Sequence, residues 1–150
     1  MSIRPSKDIY YSNVAKEVST RSTCLVSKYG CIIVKNDRII SSGYNGAPRK
    51  VKNCIDTGAC IRNLTGLSRY NQCRAVHAEA NALLHANYDD LFDSVMYIAR
   101  GESSKSSHDK VEPCLNCKRL IINAKITKVI CREDDGNLVE CLPENWLDLV

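Results

Sequence analysis

Two short and well-separated segments carry the side chains that most constrain how this chain folds. They read His77-Ala78-Glu79 and Pro113-Cys114-Leu115-Asn116-Cys117, and each opens an apolar stretch with helical character. One histidine and two cysteines are ligands that zinc prefers, and three protein ligands leave the fourth tetrahedral position open, as in catalytic rather than structural sites. The sequence therefore predicts two helix N-termini meeting at one metal ion. Their partial positive charge favours thiolates and an anionic hydroxide there.

Glu79 lies two residues from His77, close enough to reach a zinc-bound water without being a ligand itself. The simpler alternative is a buried histidine beside an unrelated Cys-x-x-Cys pair, which would be redox-active or part of a four-ligand structural site. The two halves together, H-x-E followed by P-C-x-x-C, are the signature of zinc-dependent nucleobase deaminases. Because a structural site has no use for a proton shuttle, the presence of Glu79 also argues against a non-catalytic zinc scaffold.

The residues of this signature would together perform a hydrolytic deamination. Zinc held by His77, Cys114 and Cys117 would lower the pKa of a bound water and generate hydroxide near neutral pH. Glu79 would take the proton, deliver it to a ring nitrogen of the substrate, and then help protonate the departing ammonia. The His-Glu-x-x-His pattern common in zinc peptidases is absent from the sequence.

Length and composition predict a single domain over residues 1–150 and an ordinary globular protein, with 44% hydrophobic and 25% charged residues. No apolar stretch approaches the roughly 20 residues that span a bilayer, and the N-terminus has no apolar signal core, so we expect a cytoplasmic location and no membrane partner. Nine cysteines, an odd number, are better explained by metal ligation and buried thiols than by disulfides. The net charge of +4 suits a phosphorylated small molecule and gives little support to a nucleic-acid partner.

Hydrophobic periodicity predicts an α/β protein. Helices are expected at residues 8–21, 77–86 and 114–124, the last with Leu120 and Ile121 facing inward, and strands at 30–34, 38–43, 94–99, 127–131 and 138–141. A short helix should begin at Pro143. The stretch up to about Gln72 reads as an irregular excursion, and residues 101–110 as a polar, mobile loop. This order predicts a mixed central sheet of about five strands with helices on both faces.

Four segments of the chain resemble the deoxycytidylate (dCMP) deaminase family. They are 21–24 (Arg-Ser-Thr-Cys), 43–48 (Gly-Tyr-Asn-Gly-Ala-Pro), 77–83 and 113–118, and the resemblance covers residues 8–131. It implies a three-layer α/β/α cytidine-deaminase-like fold and the deamination of dCMP to dUMP and ammonia in pyrimidine deoxynucleotide metabolism. It also implies a homo-oligomer, often a hexamer. The implied substrate-binding residues are Asn45, Ala78, Arg21 and Ser22, with Asn45 contacting sugar and base and the last two on the phosphate side. Asn45 would otherwise be a turn former, and Arg21 a solvated charge.

The resemblance further implies a second, structural zinc near the first helix and the long excursion. Its expected ligands are Cys24, Cys54, Cys60 and Cys73, which would form a closed site that pins the loop. The alternative is four buried apolar cysteines. The remaining cysteines, Cys31, Cys131 and Cys141, sit on expected strands and read as core, and neither His85 nor His108 is expected to bind metal.

Two departures from the family pattern leave the exact substrate open. Residues 100–112 separate the third strand from Pro113, where the family passes almost directly, and little chain follows Cys131. The inserted loop could cap the pocket, with Lys105, His108 and Lys110 facing a phosphate, or be a solvated insertion. A free cytosine nucleoside, dCTP or another amino-heterocycle remain alternatives to dCMP. A tRNA or other nucleic-acid base is a weaker one, because those enzymes typically read Thr-Ala-His-Ala-Glu and carry a basic surface. The sequence does not establish regulation by dCTP or dTTP.

Overall fold

A mixed five-stranded sheet forms the centre of the computed structural model, which describes residues 3–64, 72–102 and 109–150. The strands are β1 (Tyr29–Lys35), β2 (Arg38–Tyr44), β3 (Val95–Arg100), β4 (Lys128–Arg132) and β5 (Leu138–Cys141). The helices are α1 (Lys7–Ser19), α2 (Cys54–Thr57), α3 (Ile61–Leu64), α4 (Ala78–His85), α5 (Tyr88–Leu91) and α6 (Leu115–Asn123), followed by a 3-10 helix at Pro143–Trp146.

The strands lie in the order β2-β1-β3-β4-β5. β1 pairs antiparallel with both β2 and β3, and β4 and β5 form an antiparallel hairpin. β3 and β4 are parallel, with α6 as the crossover between them. The central strands are buried along almost their whole length, which explains their continuous runs of apolar residues. The predicted mixed sheet of five strands is confirmed.

Helices cover both faces of this sheet, as predicted. α1 packs on one face, where Tyr11 and Ala15 contact a cluster that includes Ile32 and Tyr97. α4 and α6 lie on the other face, over a cluster that includes Ile33 and Ile98. Each face thus has its own apolar layer, and the molecule has the three-layer α/β/α arrangement.

The turn between β1 and β2 holds α1 in place. Asn36 and Asp37 both have positive φ, 49° and 61°, as a two-residue hairpin turn requires. The Asp37 carboxylate then accepts hydrogen bonds from the Lys7 ammonium at 2.8 Å and the Tyr11 hydroxyl at 2.6 Å. The Lys7 hydrogen bond is the main cause that lowers the pKa of Asp37, and Tyr11 adds to it.

α4 is fixed unusually close to β2. A Cβ atom at Gly43 would come within 2.3 Å of the Ala82 backbone nitrogen, so only glycine permits this approach. The Asn81 amide donates to the Tyr44 carbonyl oxygen at 2.8 Å, and the His85 Nδ1 atom lies 2.7 Å from the Ser42 carbonyl oxygen. These contacts fix the position of α4 relative to β2, and so the place at the end of the sheet where α4 begins.

Two details of the sequence-based prediction are wrong. Leu120 is 46% exposed, whereas Ile121 is fully buried, because adjacent helical residues point about 100° apart. The stretch before Gln72 is not wholly irregular, since it contains α2 and α3. α2 begins at a capping box formed by Asn53 and Asp56.

Most of the loop predicted at 101–110 lies outside the described residues, as do 65–71. Among the residues that are described, no helix combines the length and the apolar character that crossing a bilayer requires.

Candidate active site

The first residues of two helices bring the metal-ligand candidates together. His77 is the N-cap of α4 and Cys114 the N-cap of α6, both in extended backbone conformation. N-cap side chains commonly accept a hydrogen bond from the first turn of their own helix. Neither His77 nor Cys114 does so, and both side chains point instead at a shared centre.

The three candidate ligand atoms have the spacing of a tetrahedral zinc site. The His77 Nδ1 atom lies 3.4 Å from the Cys114 sulfur and 3.5 Å from the Cys117 sulfur. Zinc bonds of about 2.0 Å to nitrogen and 2.3 Å to sulfur at tetrahedral angles would put these atoms about 3.5 Å apart. Within the described residues, this is the one group of three or more such side chains whose ligand atoms all lie within 4.8 Å of one another. The donor set therefore fits zinc.

The burial of the candidate ligands favours a bound cation that is open to solvent on one side. Cys117 is buried, while His77 and Cys114 are exposed. Burial, and then the nearby Glu79 carboxyl, raise the pKa of the Cys117 thiol far above its usual range. A thiolate at this position consequently needs a positive charge beside it, and a divalent metal provides that charge.

Glu79 is the second residue of α4 and is only 6% exposed. Burial raises the pKa of its carboxyl, and the hydrogen bond to the Cys117 thiol and the nearby His77 act in the opposite direction. The carboxyl therefore reaches the ligand cluster itself. A carboxyl whose pKa is raised binds a proton more readily than a free one, which suits general acid–base chemistry.

Two buried cysteines lie beneath Glu79. Cys31 on β1 and Cys131 on β4 are fully buried, and both are electrostatic neighbours of the Glu79 carboxyl. The prediction that they belong to the core is confirmed. Cys141 on β5 is only half-buried, and its hydrogen bond with Cys131 lowers its pKa to about 7.

Comparison with known proteins identifies the family. The model of the cytidine and deoxycytidylate deaminase zinc-binding region matches residues 5–133. The chain belongs to this family. The deoxycytidylate deaminase of Mycobacterium phage D29 is 37% identical over 135 residues, which cover 85% of this chain and 94% of that protein. The Saccharomyces cerevisiae deoxycytidylate deaminase is also 37% identical, over 85% of this chain but only 38% of the yeast protein.

A solved structure shares both the fold and recognisable sequence. The dCMP deaminase of the cyanophage S-TIM5, in complex with dCMP and dUMP, is 26% identical with a TM-score of 0.65. The match covers 87% of this chain and 84% of that chain. Family membership accounts for the ligand geometry above and confirms the zinc-dependent deaminase class predicted from the sequence.

Asn45 occupies a fixed position next to the metal-ligand segment. It adjoins Gly46, which bridges to Val76, the residue before His77. Its side-chain oxygen accepts from the Tyr29 backbone N–H at 2.8 Å and lies 2.6 Å from the Ser22 hydroxyl. Asn45 therefore has a network of partners, which a simple turn former would not need.

The other candidate substrate residues differ in their surroundings. Ser22 is buried, and its hydroxyl lies against both the side chain and the backbone carbonyl of Asn45. Arg21 is exposed at the end of α1, and Ala78 is fully buried beside the ligand His77. Hydrogen bonds thus join Ser22 to Asn45, whereas the neighbouring Arg21 is exposed.

The four cysteines of the second candidate site line one small cavity. Cys24, Cys54, Cys60 and Cys73 all line one cavity of about 30 Å³. Burial and the three other thiols raise the pKa of Cys54, so the four are neighbours. Within the described residues, no three of these sulfurs come within 4.8 Å of one another.

Nothing in the sequence singles out Arg100, yet it is buried next to the chain segment that leads to Cys114. Its guanidinium binds Asp134 with two hydrogen bonds, at 3.1 and 2.9 Å, and donates to the Asp109 carbonyl oxygen at 2.8 Å. The Asp134 contact raises the Arg100 pKa further. A single charged residue at the end of an apolar strand is usually exposed to solvent. Nothing else in the sequence indicates that Arg100 is buried.

Proposed function

We propose that this protein hydrolyses dCMP to dUMP and ammonia at the zinc site of His77, Cys114 and Cys117. The observation that carries the proposal is the convergence of these three ligand atoms beside the buried Glu79 carboxyl. Relatives named deoxycytidylate deaminase, and a homologous structure holding dCMP and dUMP, support the choice of substrate.

The proposed mechanism assigns proton transfer to Glu79. Zinc held by His77, Cys114 and Cys117 would lower the pKa of a water molecule toward neutrality and so make its oxygen nucleophilic. The Glu79 carboxylate accepts the proton of that water and passes it to the ring nitrogen beside the amino-bearing carbon. As the carbonyl forms, Glu79 would take the second proton from the new hydroxyl group and give it to the departing amino group, which leaves as ammonia. The burial of Glu79 excludes bulk water from these transfers, so one carboxyl handles the proton throughout.

Asn45 is proposed to contact the sugar and base of the nucleotide as a hydrogen-bond donor. Both acceptor positions of its side-chain oxygen are engaged, by Tyr29 and Ser22. One amide hydrogen goes to the Ser27 carbonyl at 2.8 Å, and the other has no partner among the described residues. The amide is thus held rigidly with one N–H available, which suits an acceptor on the substrate.

The other residues that we propose to bind the substrate are Arg21, Ser22 and Ala78. Arg21 remains a proposed contact of the phosphate, supported by its exposed charge, and Ala78 lines the site beside His77. Ser22 is better placed to hold Asn45 than to bind phosphate directly. A Ser22→Ala variant separates the two roles: weaker binding of both dCMP and deoxycytidine indicates positioning of Asn45, and weaker binding of dCMP alone indicates a phosphate contact.

A second, structural zinc is proposed for Cys24, Cys54, Cys60 and Cys73. Their common cavity has room for a single small occupant, and a metal would draw the four sulfurs together. The Cys24 sulfur also accepts backbone N–H groups of Val26 and Ser27 at 3.4 and 3.5 Å. Hydrogen bonds of this kind stabilise a thiolate, the form that binds zinc.

The whole of residues 1–150 is proposed to act as one cytoplasmic domain that forms a homo-oligomer. All strands of the described residues belong to one sheet, and metal ligation and buried thiols, the roles predicted for the nine cysteines, suit a reducing compartment. Leu84, Tyr88 and Phe92 are each more than 60% exposed along α4 and α5, which supports a self-association surface there. Light scattering on wild type and Leu84→Asp tests this: a monomeric wild type contradicts the proposal, and dissociation on substitution supports the surface.

One substrate panel tests the proposed activity. Ammonia release should be fastest with dCMP when dCMP, dCTP, deoxycytidine, cytosine and guanine are compared side by side under identical conditions. Equal or faster release from deoxycytidine would assign the enzyme to free nucleosides. Release from none of the five, by a zinc-loaded and folded protein, would refute the proposal.

A further inference from the structure

The chain segment that delivers Cys114 is anchored by a buried arginine at the same end of the sheet as the metal-ligand segments. Arg100, the last residue of β3, is 7% exposed. Its guanidinium joins the Asp109 carbonyl oxygen to the Asp134 carboxylate in the turn between β4 and β5. The chain therefore leaves the sheet at Arg100 and is held next to the same residue when it returns at Asp109.

The rest of the segment is anchored as well. The Val111 backbone N–H donates to the Glu133 carboxylate at 3.3 Å, and the Val111 side chain is buried in the core. Glu112 pairs with Lys118 on α6, with 3.6 Å between oxygen and nitrogen. Adjacent carboxylates of the β4–β5 turn, Glu133 and Asp134, thus hold the segment, one directly and one through the arginine.

We propose that Arg100 is a positioning residue for zinc: by tying Asp109 to Asp134 it fixes the turn from which Cys114 reaches the metal. Cys114 needs this support because it is exposed and its side chain makes no capping hydrogen bond to α6. A guanidinium suits the task, since its fork engages a carboxylate and a carbonyl at once in fixed directions. The proposal concerns the metal site on which the proposed deamination depends, but it can be measured without substrate.

The experiment follows zinc release from the full-length protein to a chromogenic chelator. The kinetic phase that disappears in Cys114→Ser belongs to this site. Arg100→Met keeps a long side chain but removes the guanidinium group. This variant should release that zinc about 10 to 100 times faster than wild type, which is the usual effect of losing a residue that orients a metal ligand.

Arg132→Met is the matched control. Arg132 lies beside Ala99 at the same end of the sheet, but its guanidinium contacts Ser12 on the opposite face. It should release zinc at the wild-type rate. Wild-type release from a folded Arg100→Met protein overturns the proposal, even if its melting temperature falls, because Arg100 would then be merely structural.

A second variant covers the case in which Arg100→Met does not fold. Asp134→Asn keeps the arginine and the shape of its partner but removes the charge that orients it. Faster zinc release from this variant, with Arg132→Met unchanged, supports the proposal. Release at the wild-type rate overturns it. A normal zinc site in a protein inactive on dCMP would refute the proposed substrate while leaving the role of Arg100 intact.

Discussion

Replacing Glu79 by glutamine should abolish most of the turnover while leaving zinc and the fold in place. Glutamine has nearly the same shape as glutamate but cannot accept and return a proton. The three ligand atoms come from His77, Cys114 and Cys117, so the substitution removes none of them. Because burial raises the pKa of the Glu79 carboxyl, a neutral amide avoids the desolvation cost of the charge, and no loss of stability is expected.

The expected loss of turnover follows from the burial of this carboxyl. A positioned general acid or base contributes about 10² to 10⁴ in rate. At 6% exposure, Glu79 leaves little access for water or buffer to replace it, so the upper part of this range is expected. A loss of 10³-fold corresponds to about 4 kcal/mol of transition-state stabilisation.

The assay measures ammonia release at saturating dCMP, together with zinc content per chain and the melting temperature. Glu140→Gln is a suitable control, because it makes the same chemical change at a carboxylate that is not among the metal-site residues. Glu140 lies on β5 and pairs with the partly exposed Lys128 at 3.7 Å. It should retain full activity. A folded, zinc-loaded Glu79→Gln enzyme that turns over within about tenfold of wild type would refute the assignment of proton transfer to Glu79.

Four further predictions concern the rest of the molecule. Cys54→Ser should lower the zinc content from two ions per chain to one and reduce the melting temperature, whereas a single zinc that survives the change would leave the four cysteines merely buried. Ser22→Ala should raise KM for dCMP about tenfold with a smaller change in kcat, because one hydrogen bond to Asn45 is lost; an unchanged KM would contradict this. Asp37→Asn should destabilise the protein at neutral pH, and the difference in melting temperature should close as the pH falls below 3.8, since the lowered pKa of Asp37 contributes stability only while the carboxyl is ionised. Shortening Ser103–Ser107 to two residues should raise KM for dCMP more than for deoxycytidine if that loop caps the pocket, and equal kinetics on both would leave the loop without a role.

The metal site could be predicted from the sequence because its chemistry depends on residue type and short spacing. His77 and the two cysteines of the second segment are residue types that zinc prefers, and the structure brings their ligand atoms together. The strands could be predicted in the same way, because their apolar runs are visible in the sequence.

Features that depend on distant contacts could not be predicted in this way. α2 and α3 span four residues each, too short for a helical period to be visible. The role of Arg100 depends on Asp109 and Asp134, which approach it only in the folded chain. The hydrogen bonds of Asn45 likewise join it to Ser22, just after α1, and to Tyr29 on β1. The sequence therefore indicated Asn45 but not these partners.

The pairing of β1 with β3 sets the order of events when this protein is made. Ile32 and Tyr97 face each other across these central strands although they are about 65 residues apart in the sequence. Such non-local pairing forms slowly, and parallel pairing of β3 with β4 must also form before the segments on either side of β3 can meet. The metal site therefore exists only after the sheet is assembled. We therefore expect zinc to bind after the sheet has formed and to slow unfolding, while the rate of folding is set by formation of the sheet.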